Sequence, residues 1–260
     1  NTIQGSAGTT EDQIKYAWNY ALLLAEGPSQ KALVPAPLHV GMTGGRVVRF
    51  EEITRCPPEI QDALVSVLSD KVLIIPELDG DDRVVLAKPG FNVIATANLR
   101  DRGVHEMSSA LKRRFNFETV GPIRNLKQEI ALVKAQTEKL LAAAEAHVEP
   151  SADALEVLLT AFQDLREGKT ADGQQVQKPS AVMSTAEAVS VAFSAALDAH
   201  YFGKGTLTPA DVARHLGTAA LKDDPEDLKK LRHYFDNVVK KRAQSDKRWS
   251  GFEEARKQLA

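Results

Sequence analysis

The stretch RVVRFEEITRCPPEIQDALVSVL, residues 46–68, constrains this chain more than any other. Val47, Val48 and Phe50 form a short β-branched and aromatic run, the pattern of a mostly buried strand. That strand ends in two adjacent carboxylates, Glu51 and Glu52. After ITRC, Pro57-Pro58 opens a helix that carries Ile60, Leu64, Val67 and Leu68 on one face. A strand that delivers polar groups to its C-terminal end and then turns into a helix is how open α/β sheets build a ligand site. Two carboxylates there can hold a divalent cation and polarise an attacking water. Two solvated glutamates at a strand end are the plain alternative, and the rest of the chain decides between them.

The 260 residues suffice for one large or two ordinary domains. At 43% hydrophobic and 26% charged the composition is that of a globular protein, and a net charge of -2 gives no general pull toward nucleic acid or an anionic membrane. The single cysteine, Cys56, excludes an intrachain disulfide and a multi-cysteine metal site, which points to a reducing, cytoplasmic compartment. The six histidines show no metal spacing. Apolar runs such as VLII at 72–75 are too short to span a bilayer, and no signal-peptide pattern opens the chain. It begins at Asn1 and runs straight into TIQGSAG, so a missing upstream segment is expected.

In chain order, TIQG reads as the end of a strand. Thr10 and Gln13 form a capping box for a helix carrying Ile14, Ala17, Trp18, Ala21, Leu22 and Ala25, stopped by Gly27-Pro28. Residues 28–45, rich in Pro and Gly, read as a surface connector. Val72–Ile75 and Arg83–Leu86 are the arms of a hairpin turning at Asp79-Gly80. FNVIATANLRD gives a second buried strand, Phe91 to Thr96, ending in Asn98. A short helix then leads to Arg113-Arg114. From Pro122 onward the pattern is helical, with starts at Asn125, Ser151, Ser184, Thr208 and Asp224, and Trp249 is expected in a tail.

A strand ending in two glutamates, a strand ending in Asn98 and an arginine pair now stand in a fixed order. Together, VVRFEEITRCPPEIQDALVSVL, FNVIATANLRD and ALKRRF resemble the AAA+ ATPases, most closely the MoxR-like, dynein-related branch. The resemblance implies an α/β fold: a P-loop-type parallel sheet core at 1–122, incomplete at its N-terminus, an all-α helical lid at 123–222 and a helical extension at 223–260. It implies ATP and Mg2+ as cofactors, with Glu51-Glu52 as the Walker B pair. Glu52 would activate water, Glu51 would help hold magnesium through its water shell, and Asn98 would be the sensor 1 residue. The family's first acid is usually Asp, so Glu51 departs from the pattern. Arg114, with Arg113 as its alternative, stands where the family carries an arginine finger acting on a neighbouring subunit.

Two further departures follow from the comparison. The Walker A pattern, Gly-x-x-x-x-Gly-Lys-Ser/Thr, does not occur in the 260 residues. Where the third lid helix of relatives carries Ser-Pro-Arg-Ala, this chain has STAEA, so the sensor 2 arginine is missing. The leading expectation is an ATPase module working as a homo-oligomeric ring, a hexamer, on a client protein. The other is a degenerate subunit that no longer hydrolyses ATP and serves as a scaffold or donates Arg114. Lysines and arginines at 229–248 give a third reading, nucleic-acid binding, but acids at 223–227 balance them and a solvated helix face accounts for the pattern.

Overall fold

The computed structural model describes residues 1–98, 104–181, 183–203, 205–222 and 224–258, in two compact units, Asn1–Thr119 and Val120–Ala260. Leu99, Arg100 and Asp101 of the second strand motif and Asp223 of the acidic cluster lie outside the described residues.

In the first unit, β1 (Thr2–Gln4), β4 (Val47–Glu51) and β7 (Asn92–Ala95) form a parallel sheet in the order β1-β4-β7. Its register sets Ile3 opposite Phe50 and Phe50 opposite Ala95. Parallel pairing brings the three C-terminal ends to one edge of the sheet, so residues that follow each strand become neighbours. Ile3, Val48, Phe50 and Val93 point to the covered face and are buried, whereas Val47 and Ile94 lie on the opposite, exposed face. The helix expected after the Pro pair forms as α4 (Pro58–Asp62) and α5 (Leu64–Asp70), burying Ile60, Leu64 and Val67. A two-stranded hairpin of β5 (Val72–Ile74) and β6 (Val84–Leu86) follows, but its connection is longer than a tight Asp-Gly turn and includes a 3₁₀ turn at Gly80–Arg83.

Two expectations fail here, both for tertiary reasons. The single helix read at 11–26 is broken into α1 (Glu11–Ile14) and α2 (Tyr20–Glu26) by a strand, β2 (Tyr16–Trp18). Residues 16–18 pair antiparallel with β3 (Leu33–Pro35), and Asn19 restarts the helix by accepting from the Leu22 N–H. The supposed surface connector supplies β3 and also α3 (Pro37–Gly44), which buries Leu38 and Met42. Pro37 opens that helix, and Gly45, at φ 60°, closes it in the left-handed region that glycine adopts freely.

The second unit is helical: α6 (Ser109–Lys112) closes the first unit, and α7 (Leu126–Ala143), α8 (Ala152–Glu167), α9 (Thr185–Tyr201), α10 (Pro209–His215), α11 (Pro225–Tyr234), α12 (Lys240–Ser245) and α13 (Lys247–Glu254) follow. The expected caps form at Asn125, Ser151, Ser184, Thr208 and Asp224. Wide π turns at Leu216–Ala220 and Phe235–Val239 extend α10 and α11. α8 is the centre of this unit, with Leu155, Leu158, Leu159, Phe162 and Leu165 buried. The C-terminal helices share that core: Phe235 stacks on Phe252 at 5.0 Å between ring centres, and Trp249, expected in a tail, is buried. Its indole receives the Arg242 guanidinium at 4.7 Å, so a residue that looked free in the sequence anchors α12 to α13.

Candidate functional site at the ends of the parallel strands

The acidic pair sits where the register puts it, at the C-terminal end of the central strand β4. Glu51 is the last strand residue, and Glu52 turns the chain out of the sheet with φ 53° and ψ 46°. A left-handed conformation in a residue with a Cβ costs about 1–2 kcal/mol, and such strain collects at functional turns. Backbone bonds from both neighbouring strands hold it. The Gly5 N–H donates to the Glu51 carbonyl at 2.7 Å, the Thr96 N–H to the Phe50 carbonyl at 2.8 Å, and the Ile53 N–H to the Thr96 carbonyl at 3.0 Å. A Cβ at position 5 would lie 2.3 Å from the Glu52 carbonyl oxygen, so only glycine admits this approach.

The two carboxylates are held differently. Glu51 accepts from the Thr96 hydroxyl at Oε2, and its Oε1 lies 2.7 Å from the Arg49 Nε. Glu52 is half-buried. Its Oε2 is shielded from solvent and accepts no hydrogen bond, while the Arg55 Nε stands 3.7 Å away. A shielded carboxylate oxygen without a donor is costly to keep unless something binds there.

Asn98 lies two residues beyond Thr96, exposed, on the same strand-end edge. The arginines are placed apart from the acids. Arg113 caps α6 and is exposed. Arg114 is turned back on its own unit, with its Nε donating to the Ser69 hydroxyl at 2.6 Å and its Nη1 to the Ala110 carbonyl at 2.5 Å. Neither arginine contacts Glu51 or Glu52 among the described residues. Thus the structure brings Glu51, Glu52 and the Asn98 strand end together and leaves Arg113 and Arg114 on the surface.

Sequence reasoning missed Gly5, Arg49 and Thr96. The signal for Arg49 was its place two residues before Glu51, on the same face of the strand. Gly5 and Thr96 carry no signal of their own, because their partners become neighbours only through the parallel register.

The start of the third long helix of the second unit, where an arginine was looked for, carries acid instead. Glu187 folds back to accept from the Ser184 N–H at 2.6 Å and from the Ser184 hydroxyl. The Lys222 Nζ stands 3.9 Å from the other Glu187 oxygen, and a second cation, Arg166 on α8, lies close by. It reaches the sealed Glu129 at 3.0 Å and also donates to the Met183 and Ile123 carbonyls. Gln163 and Thr185 complete the donors to Glu129. Burial alone pushes the Glu129 carboxyl up, but these hydrogen bonds outweigh it and hold the group below its ordinary range.

Among the described residues, no group of three or more His, Cys, Asp and Glu could form an all-protein metal cage. Also among the described residues, no helix is long and apolar enough to cross a membrane.

Comparisons with known proteins give the family and the fold. Residues 1–115 match the family described as AAA domain (dynein-related subfamily), and residues 127–260 match the YehL-like AAA+ ATPase C-terminal domain. The uncharacterized protein YehL of Escherichia coli (strain K12) is 49% identical over 262 residues, covering 99% of this chain and 70% of that protein. An uncharacterized protein of Staphylococcus aureus (strain USA300) is 36% identical over 91 residues, 35% of this chain and 34% of its own length. The crystal structure of NtrX from Brucella abortus shares the fold, with a TM-score of 0.54 at 13% identity over the whole of this chain and 58% of the other.

Proposed function

The chain belongs to the AAA+ ATPases, a dynein-related AAA domain followed by a YehL-like C-terminal domain, and from that premise we propose that it binds and hydrolyses ATP to remodel a client protein. The observation that carries the proposal is the shielded Glu52 Oε2, without a donor, at a left-handed turn on the end of the central strand. That oxygen accepts no hydrogen bond from the protein, so a lone pair is left for the proton of an attacking water, which is the task of the second acid in this family. Asn98, exposed on the same edge, is the amide that orients the water against the terminal phosphate. Glu51, whose oxygens face Arg49 and Thr96, reaches a metal through its water shell. Magnesium, when bound, supplies charge that offsets the negative charge developing on the phosphates.

Arg114, or Arg113, acts on the site of a neighbouring copy in a homo-oligomeric ring, which we take to be a hexamer. For Arg114 this requires exchanging its bonds to Ser69 and Ala110 for a phosphate oxygen. The assembly is MoxR-like and cytoplasmic in this reading, and the hairpin of β5 and β6 and the loop after β1 are the parts offered to the client. A second reading, a non-hydrolysing subunit, is favoured by the Arg49–Glu51 ion pair and by Glu187 standing where the lid cation was sought.

Glu52→Gln in the full-length protein separates the two. Loss of a general base lowers turnover about 10²-fold or more, while calorimetry with magnesium and ATP finds binding retained. Turnover equal to wild type in this variant would falsify the role of Glu52. Absence of turnover in the wild type itself selects the second reading.

A further inference from the structure

We propose that Thr96 is the positioning residue of the acidic pair, one hydroxyl that orients Glu51 and fixes the turn that aims Glu52. The inference deepens the reading of this edge as a hydrolytic site and rests on it.

The Thr96 Oγ1 does two things at once. It donates its proton to Glu51 Oε2 and accepts the backbone N–H of Glu52 at 3.1 Å. A hydroxyl has one proton and two lone pairs, so the donor direction is settled by the carboxylate and the acceptor direction by the amide. The backbone of Thr96 is itself fixed, its N–H on the Phe50 carbonyl and its carbonyl on the Ile53 N–H. Four consecutive residues of the β4 end, 50–53, are therefore held by one residue of the neighbouring strand end.

The consequences for the two acids differ. Glu51 has a second tether, the exposed Arg49, whose Nε stands 2.7 Å from Oε1. Removing the Thr96 hydroxyl leaves that ion pair as the remaining hold among the described residues, and it pulls the carboxylate toward the exposed face of the sheet. Glu52 accepts no hydrogen bond at Oε2, where the Arg55 Nε stands 3.7 Å away, so its direction depends on its backbone turn together with that ion pair. The amide bond to Thr96 pins that turn at a φ that a residue with a Cβ resists. Only Ser shares with Thr the short hydroxyl needed for both contacts; Val keeps the shape and loses them.

The test compares Thr96→Val, Thr96→Ser and Glu52→Gln in the full-length protein. With Val, turnover falls about tenfold or more, the loss expected for a hydrogen bond to a charged group, while KM for ATP stays within about threefold. The magnesium concentration for half-maximal turnover rises in the same variant. Ser restores both to within about threefold. Hydrogen exchange gives a readout without nucleotide: the Glu52 amide exchanges about tenfold faster with Val and is protected with Ser, and the Ile53 amide, bound to the Thr96 carbonyl, is unchanged in both. An unchanged Glu52 amide in the Val variant overturns the proposal, as does a Ser variant as impaired as Val. Full turnover with Val beside a dead Glu52→Gln overturns the role of Thr96 alone, whereas full turnover in Glu52→Gln overturns the reading of the site.

Discussion

The helical unit and the α/β unit treat their shielded carboxylates in opposite ways. In the helical unit Glu129 takes hydrogen bonds from Arg166, Gln163 and Thr185, and Asp227 takes the Ser180 and Ala181 N–H groups and Lys230. Asp164 is likewise held by the Tyr234 hydroxyl and the Arg242 guanidinium, both at 2.7 Å. In the α/β unit the Glu52 Oε2 is shielded and has no donor. The helical unit has unpartnered polar atoms too, Thr137 Oγ1 and Arg166 Nε, but among the described residues none is a carboxylate oxygen. A saturated carboxylate serves the packing around it. An unsaturated one, at the end of a strand and at a strained turn, is available for chemistry.

The comparison breaks most visibly at Arg166. Arg166→Met leaves Glu129 charged, sealed at 0% exposure and short of its main partner, which costs about 3–5 kcal/mol. Thermal unfolding of the helical unit drops accordingly, and a loss below about 1 kcal/mol would mean the ion pair is not what holds α7, α8 and α9 together.

A smaller effect is expected in the α/β unit from Gly5→Ala. The new Cβ meets backbone oxygen at 2.3 Å, so the strand end must shift, at about 1–3 kcal/mol. Turnover falls with it, because the shifted atoms are those of Glu51 and Glu52. Stability loss without any change in turnover would separate this contact from the site.

Acid sharpens the comparison by the smallest increment. Burial holds His39, on α3, below its ordinary value of 6.5. The neutral ring therefore contributes stability that is complete above about pH 6.5 and is lost as pH falls below it toward the folded-state value. Glu129 and Asp227 are held below their ordinary values of 4.5 and 3.8 by hydrogen bonds that outweigh burial. Their contribution is complete above those values and is lost only as pH falls through the lower folded-state ones. Hydrogen exchange followed down in pH is expected to show the α/β unit loosening first. Simultaneous loosening of both units would contradict these assignments.

Much of this was legible in the residues. Helix starts at Asn125, Ser151, Ser184, Thr208 and Asp224 are local chemistry, a side chain capping amides within three residues, and the caps form as read. The positions of Glu51 and Glu52 at the end of β4, and of Asn98 beyond the end of β7, were legible because strand ends are visible as the end of a β-branched run. What escaped depended on partners distant in sequence. Tyr16-Ala17-Trp18 fits a helical stripe and becomes a strand because residues 33–35 pair with it. Trp249 looked like a tail residue because Arg242, whose guanidinium covers its ring, lies on another helix, and Phe252 beside it is itself stacked on the distant Phe235. Thr96 looked like the last residue of a strand, and its role exists only across the β4–β7 register.

The central claim concerns one oxygen atom, and the most direct measurement is a crystal structure of the full-length protein with magnesium, ADP and beryllium fluoride. The account predicts a water about 3 Å from Glu52 Oε2, in line with the fluoride that stands for the terminal phosphate, and within reach of the Asn98 amide. Glu52 turned away from the phosphate analogue, with water held by other residues, would contradict it.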